Sequence, residues 1–554
     1  MKKTAMTCAL LGAMMLMQAP EARAQYPSVP PEIAAASEAM IAKAKERSDS
    51  IFNSFKAIRD KEAAMGRPYV PCARKPSDLV KCDIPAFPGA EGGAMWTPGG
   101  RGGKVLTVTN LNDDGEGSFR WACEQGGARI VVFNVAGIIR LKTPLIVKSP
   151  YITIAGQTAP GDGVCVAGES VWIDTHDVVI RHMRFRRGET NVGRRDDCIG
   201  GNPIGNIMLD HLSCSWGLDE NISFYRYMYQ PETGGPAQKL MTVNVTIQNS
   251  ISAQGLDTYN HSFGSTIGGI NNTFARNIWA NNTGRNPSMS SSEFNYLNNI
   301  IYNWYHRTGD GAGHSYNVFN NYFKPGPVTP KDEPIAYRVF RANGRGRTPH
   351  WAYVEGNIVE GNDTVTKNNW NGGVQDGHSA EDLAFIRSDK MKEMAPVTIM
   401  TAKQAYKFVL ANAGALYPKR DIVDERIIHQ IKTDEVYYDP KADEIDYYQF
   451  QYRRLPQDSY KKGIITDVSQ VGGYPEYKGT PYVDTDKDGM PDAWEIKYGL
   501  NPNDPSDAVK DCNGDGYTNI EKYIHGINPK KKVDWTNLKN NHDTLAKKKG
   551  RLMK

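Results

Sequence analysis

Three asparagines constrain this chain more than any other feature. Asn277, Asn299 and Asn321 lie in the related segments Phe274-Ala-Arg-Asn-Ile-Trp, Tyr296-Leu-Asn-Asn-Ile-Ile-Tyr and Val318-Phe-Asn-Asn-Tyr-Phe, at two successive steps of 22 residues. Asn249 and Asn357 fit the same pattern with longer loops between. A period of that size means a solenoid, because one such unit cannot bury its apolar face alone and must stack on the next. Asparagine at one repeated position can form a side-chain amide ladder, each amide bonding the neighbouring coil. Around these units the chain consists of short β-branched runs, such as Ile130-Val-Val-Phe, Val178-Val-Ile and Val243-Asn-Val-Thr-Ile, separated by Gly and Asn. No helical pattern alternates with them, which argues against a doubly wound α/β fold, and the leucine pattern of a horseshoe is absent. The expected fold is all-β, a single-stranded parallel β-helix over residues 84–375.

The flanks differ in texture. Residues 1–24 combine a basic start, an apolar run from Ala5 to Met17 and the small-x-small site Ala22-Arg23-Ala24, which reads as a signal peptide cut after Ala24. A secreted or periplasmic protein is expected. No other stretch could span a membrane. Residues 25–83 have a helical composition and suggest an outer helix or helical pair. Residues 376–480 break the strand pattern, include the helical run from Thr401 to Ala411, and suggest a C-terminal cap or decoration over the coil stack, whose exposed edge needs covering. Residues 531–554 form a lysine-rich tail expected to be solvated. The 554 residues, 40% hydrophobic and 23% charged, suit an elongated repeat with additions and exclude a disordered chain. A net charge of +4 neither supports nor excludes an anionic ligand, since local clusters decide binding. No nucleic-acid partner is expected, and a monomer is. Seven cysteines remain beyond Cys8, so at least one is a free thiol, while Cys72 and Cys82 could pair in an oxidising compartment.

Residues 481–530 carry two acidic loops. Asp484, Asp486, Asp488, Asp492 and Glu495, with Gly489, match the liganding spacing of an EF-hand calcium loop. A second loop has Asp511, Asn513, Asp515, Asn519 and Glu521, with Glu521 one residue short of the bidentate position. The segment resembles the tandem calcium-binding repeats, of dockerin or thrombospondin type 3 kind, at the ends of secreted bacterial enzymes. A structural calcium role is expected for both loops.

Three stretches could carry chemistry: Arg194-Arg-Asp-Asp-Cys-Ile, Asp210-His running through Asp219-Glu220, and Thr283-Gly-Arg-Asn-Pro. Residues one coil apart in a β-helix stack at about 4.8 Å, so acids from the first two can meet on one face. Such a cluster repels itself unless a cation fills it, and calcium suits oxygen ligands. Together with Ala86-Phe-Pro-Gly-Ala-Glu-Gly-Gly, Ala155-Gly-Gln-Thr-Ala-Pro-Gly-Asp-Gly and Asp210-His-x-Ser-x-Ser-Trp-Gly, in this order, these stretches resemble the pectate lyases of polysaccharide lyase family 1. The resemblance covers roughly residues 84–375. It implies a right-handed helix and calcium-dependent β-elimination on polygalacturonate or pectin, giving 4,5-unsaturated ends. Arg285 is then the base, Asp197 the first calcium ligand, and Asp219 and Glu220 the second acidic cluster. His261 falls near a substrate-binding lysine of the family, and Arg181, Arg184, Arg186 and Arg187, alternating along a strand, could line the uronate groove, Arg184 and Arg186 above all, or form a solvated face. Arg195 stands where many members have a further aspartate, and Ser290 where many have a second, substrate-binding arginine. The rival readings are a pectin lyase or a polygalacturonase-type hydrolase on the same scaffold, and a non-catalytic glycan-binding β-helix.

Overall fold

Each β-branched run forms one strand of three parallel sheets in the computed structural model, which describes residues 29–188, 193–290, 293–311, 313–341, 351–375, 380–444 and 455–546. Along the chain a coil visits the first sheet, then the second, then the third, and returns one strand further on. Among the described residues the first sheet has 10 strands, from Lys104–Val108 to Trp351–Glu355, and the other two have 9 each. Every rung is parallel: Leu209, for example, pairs with Ile180 below it and Ile247 above. This is a right-handed parallel β-helix. No described helix is long and apolar enough to cross a membrane. The proposed signal peptide lies outside the described residues.

Inside the coils, like residues stack on like. One column of the first sheet runs Ile154, Ile180, Leu209, Ile247, Phe274, Tyr296 and Val318, all buried. Each side chain of this size contributes about 1.5–3 kcal/mol when fully buried. At the corner between the first and second sheets, six successive coils turn on one residue in the left-handed region: His182, His211, Asn249, Arg276, Asn298 and Asn320. Asparagine tolerates that conformation better than most residues, because its short polar side chain can bond locally. The amide ladder stands one residue later. The backbone N–H and Nδ2 of Asn277 both donate to Oδ1 of Asn299, at 2.8 and 3.2 Å, and Asn299 does the same to Asn321, Asn321 to Asn357 and Asn357 to Asn369. Asn249 does not belong to this ladder. It fills the corner position, and Ser250 N–H meets Asn277 Oδ1 at 2.8 Å.

The flanking segments cover faces of the stack and one of its ends. Helices Ala402–Asn412 and Ile422–Thr433 lie on the outer face of the second sheet, where Val409, Val423, Ile427 and Ile431 pack on Ile251, Ile278 and Ile300. Helix Ala380–Ile386 packs Leu383 and Ile386 against the inner core, and Arg387 bridges to Ala352 in the last strand of the first sheet, so the described part of 376–480 caps that edge as well as covering a side. The two acidic loops and the segment after them lie on the first sheet: Met490, Ile520 and Ile524 pack on Ile130, Val132 and Ala155. Residues 531–546, the described part of the tail expected to be solvated, are docked as well, with Trp535 buried and Asn541 bonded to Gly89 N–H and Ala90 carbonyl. Helix Pro31–Ser54 packs beside Leu145–Val147 at the start of the third sheet. Cys72 and Cys82 are free thiols.

Replacing Asn299 by Ala removes an acceptor shared by two donors of Asn277 and leaves a buried N–H unmatched. Stability should fall by about 2–3 kcal/mol, read as a lower denaturation midpoint with the β-rich circular dichroism retained. An unchanged midpoint would mean that the ladder does not hold the coils together.

Candidate functional site

The third sheet presents a polar outer face. Its outward column runs Trp172, Gly200, Ser223, Thr266, Ser288, Asp310 and Arg341, one residue per coil. Six rungs span about 29 Å. A cleft of about 690 Å³ lies along this bed.

Three carboxylates meet in the middle. Asp197 precedes the strand Ile199–Gly201, and Asp219 and Glu220 stand at the start of the next rung, Glu220–Phe224. Their ligand oxygens lie within 4.8 Å of one another. Glu220 N–H donates to Asp197 Oδ1 at 2.9 Å, which locks the two rungs in this alignment. Burial, then the charges of Glu220 and Asp219, push the Asp197 carboxyl well above the usual carboxylate range. Burial also raises Asp219, partly offset by Arg285. Asp196 is neutralised differently, by Arg194 at 2.9 Å. An all-oxygen donor set under mutual repulsion fits a hard cation such as calcium.

Arg285 sits in the left-handed region, at φ 51°, just before the rung Ser288–Met289. Its Nη1 contacts Glu220 Oε1 and lies 3.7 Å from Asp219 Oδ1, while Glu220 also accepts from the Thr266 hydroxyl at 2.5 Å. The guanidiniums of Arg285 and Arg307 lie 4.6 and 4.8 Å from the ring centre of the buried Phe263. The four residues carried over by motif, Asp197, Asp219, Glu220 and Arg285, thus come together from three coils.

Three other sequence expectations are corrected. Arg184 and Arg186 do share one face, but it is the outer face of the second sheet, beneath the C-terminal helices. Arg186 Nη2 bonds Asp421 at 2.8 Å and Asp424 at 3.0 Å, Arg184 lies 3.5 Å from Asp421, and both arginines are buried. They fasten a cover and cannot reach a groove. His261 reaches the site but not the cleft. It is buried behind Asp219, with Nδ1 against that carboxylate, and burial followed by the charge of Arg285 holds its pKa down at about 2. A neutral imidazole there orients Asp219 instead of pairing with a uronate.

The third correction concerns the acidic loops. In the first, Asp484, Asp486 and Asp488 converge, and Asp488 meets Glu495 and Asp507. Asp488 Oδ2, both Glu495 oxygens and Asp507 Oδ1 are buried without a hydrogen-bond partner. Burial, then repulsion from neighbouring acids, raises Asp488 to about 7 and Glu495 to about 8. Asp492 is not part of this group. Its carboxylate turns outward to Thr485 N–H and hydroxyl at 2.8 and 2.6 Å. Asp507, from the linker between the loops, takes a place the spacing rule gives no hint of. In the second loop, the twelfth position is Lys522. Its buried ammonium lies 2.7 Å from Asp511 and 3.0 Å from Asp515, where a metal would stand. Glu521 points away to Arg101 at 2.8 Å and caps its helix with Thr518. Asn519 bonds the Asp507 carbonyl, and Asn513 bonds Asp515 at 3.4 Å. The second loop carries its own cation.

Sequence reasoning also missed Lys45, Trp172, Arg226, Lys239, Arg307 and Arg341, all of which line the cleft. They come from separate elements, and no local motif joins them.

Over 457 residues the chain is 35% identical to a protein named probable pectate lyase C from Aspergillus flavus, covering 80% of this chain and 94% of that protein. A probable pectate lyase C from Aspergillus fumigatus matches with the same identity and coverage. Among solved structures, the major allergen of cedar pollen aligns with a TM-score of 0.43 at 17% identity, over 59% of this chain and 92% of that one. A thermostable pectate lyase aligns with a TM-score of 0.41 at 15% identity, over 59% and 97%. No family model matches the chain.

If Lys522 replaces a metal, Lys522→Glu should restore a ligand at position twelve and open the second loop to calcium. Calorimetric titration of the metal-stripped protein should then find one more bound calcium ion than in the unchanged chain. An equal number of ions in the two proteins would contradict this assignment.

Proposed function

The chain belongs to the pectate lyases, a family of polysaccharide lyases, and we propose that it cleaves α-1,4-linked polygalacturonate by β-elimination, with calcium held by Asp197, Asp219 and Glu220 and with Arg285 as the base. The observation that carries the proposal is the meeting of Arg285 with three mutually repelling carboxylates on the open polar face. Calcium bound there would neutralise the carboxylates and polarise the carboxylate of a uronate, acidifying the proton on its C5.

Arginine ordinarily keeps its proton. Here its partners Glu220 and Asp219 are the residues that would be engaged by a cation, and Arg307 sits across Phe263 with a like charge. Both conditions weaken its hold on the proton. Arg285 takes the proton from C5, the C4–C5 double bond forms, and the C4–O bond breaks. The glycosidic oxygen leaves with the electron pair and is protonated from solvent or by the newly protonated Arg285. His261 and the Glu220 N–H fix Asp219 and Asp197 in place. In the first acidic loop, Asp484, Asp486, Asp488, Glu495 and Asp507 would hold a second, structural calcium that pins the C-terminal segment on the first sheet. The N-terminal sequence fits export, with cleavage after Ala24.

Incubation with polygalacturonate should raise ultraviolet absorbance from unsaturated ends, and a chelator should stop it. Arg285→Ala should lower the rate about 10²–10⁴-fold while the protein stays folded. Asp197→Ala should raise the calcium concentration needed. Reducing ends without absorbance would make the chain a hydrolase, and a near-normal rate for folded Arg285→Ala would remove Arg285 from the role of base.

A further inference from the structure

Charges in the cleft are sorted by position. Lys45, Arg226 and Lys239 form one group of bases beside the central acids Asp197, Asp219 and Glu220, and a second group, Arg307 and Arg341, flanks Asp310 further along the bed, with Arg307 3.5 Å from that carboxylate. The first group does not come from the coils at all. Lys45 belongs to helix Pro31–Ser54, and Arg226 and Lys239 belong to an antiparallel hairpin, Arg226–Tyr229 with Gln238–Met241, inserted between the third sheet and the next coil.

Both elements are held firmly. In the helix, Ala44 and Ser48 are buried, the Ser48 hydroxyl bonds the Ile146 carbonyl at 3.3 Å, and Arg47 pairs with Asp114 and Glu124. Lys45 is exposed between these anchors, its Nζ 6.0 Å from the ring centre of Trp172, the first large side chain of the cleft bed. In the hairpin, Tyr227 and Leu240 share one face and pack on the 69–79 segment, where Tyr227 exchanges two hydrogen bonds with the Ala73 backbone. Pairing of Met228 with Lys239 puts Arg226, Met228 and Lys239 on the opposite face. Arg226 bonds Asn202 at 2.6 Å, and both Arg226 and Lys239 lie 5.4 Å from the Tyr225 ring centre. The N-terminal extension thus delivers one base and buttresses the element that delivers two more.

We propose that the N-terminal helix and the hairpin form a side wall of the cleft that binds successive carboxylates of an anionic polysaccharide, with the flat face of Trp172 carrying a sugar ring. The proposal rests on the reading of this cleft as a uronate site. Trp172 stands two rungs, about 10 Å, from Ser223 beside the carboxylates. A chain long enough to cover both places should feel the wall, and a short one centred on the carboxylates should not. Exposed charge pairs of this kind change affinity up to about fivefold each and weaken with salt.

The test uses the full chain carrying Arg285→Ala, so that binding is read without turnover, with and without Lys45→Ala and Lys239→Ala. Calorimetry with calcium should show a three- to fivefold loss of polygalacturonate affinity for each wall substitution, fading at high salt. Affinity for trigalacturonate should be unchanged. Equal polygalacturonate affinity at low salt, or an equal loss on the trimer, would overturn the wall. Lys45 and Lys239 are exposed, and an unshifted melting temperature excludes a folding defect. Failure of the unmodified chain to release unsaturated ends would instead strike the lyase reading, and these affinities would still report on the wall.

Discussion

Stacking at one strand spacing is the constraint on which the rest of this protein depends. Each coil lies about 4.8 Å above the last, so every choice made in one coil is repeated beside it. The repetition builds inner columns such as Ile180, Leu209, Ile247 and Phe274, and it makes the amides of Asn277, Asn299, Asn321 and Asn357 bond in series. It also decides what the outside can be. Outward residues of the first sheet include Ile130, Val132, Val179 and Met208, and those of the second include Ile251, Ile278 and Ile300. Apolar columns of this size require covers, and both sheets have them. The third sheet, with Ser223, Thr266, Ser288 and Asp310 outward, is the one whose polar column lines a cleft.

The same electrostatic problem is met three times. Carboxylates brought together by stacking or by a tight loop need a cation, since burial makes their repulsion costly. At Asp197, Asp219 and Glu220 the nearest positive group is Arg285, a side chain from another coil. At Asp484, Asp486, Asp488, Glu495 and Asp507 the described residues leave several buried oxygens without a partner. At Asp511 and Asp515 the need is met by Lys522. Glu495 and Lys522 both stand at the twelfth position of similar loops, the one adding a further carboxylate to its cluster and the other a tethered cation.

What could be read in the sequence follows from what is local or repeated. The strands were legible because they are short, β-branched and bounded by turn residues. The ladder was legible from its period, with an error of one residue at Asn249, because corner and ladder positions are adjacent and both favour asparagine. Arg184 and Arg186 share a face while Arg181 ends the preceding strand, in the first sheet, and alternation cannot say which face a distant helix will cover, with Asp421 and Asp424 more than two hundred residues away. Asp507, Lys45 and Lys239 reach their sites only through tertiary packing. Glu521 was drawn into the second loop by composition, although the twelfth position by count is Lys522.

On this reading the open polar face of the third sheet holds both the cation and the substrate. Crystals of the Arg285→Ala protein, soaked with calcium and a galacturonate oligosaccharide, test it most directly. The expected result is a calcium ion between Asp197, Asp219 and Glu220, bridged to a sugar carboxylate, with the sugar chain running along the column from Trp172 towards Arg341. Ordered sugar on another face, or a sugar chain in this cleft with no cation at the three carboxylates, would contradict it.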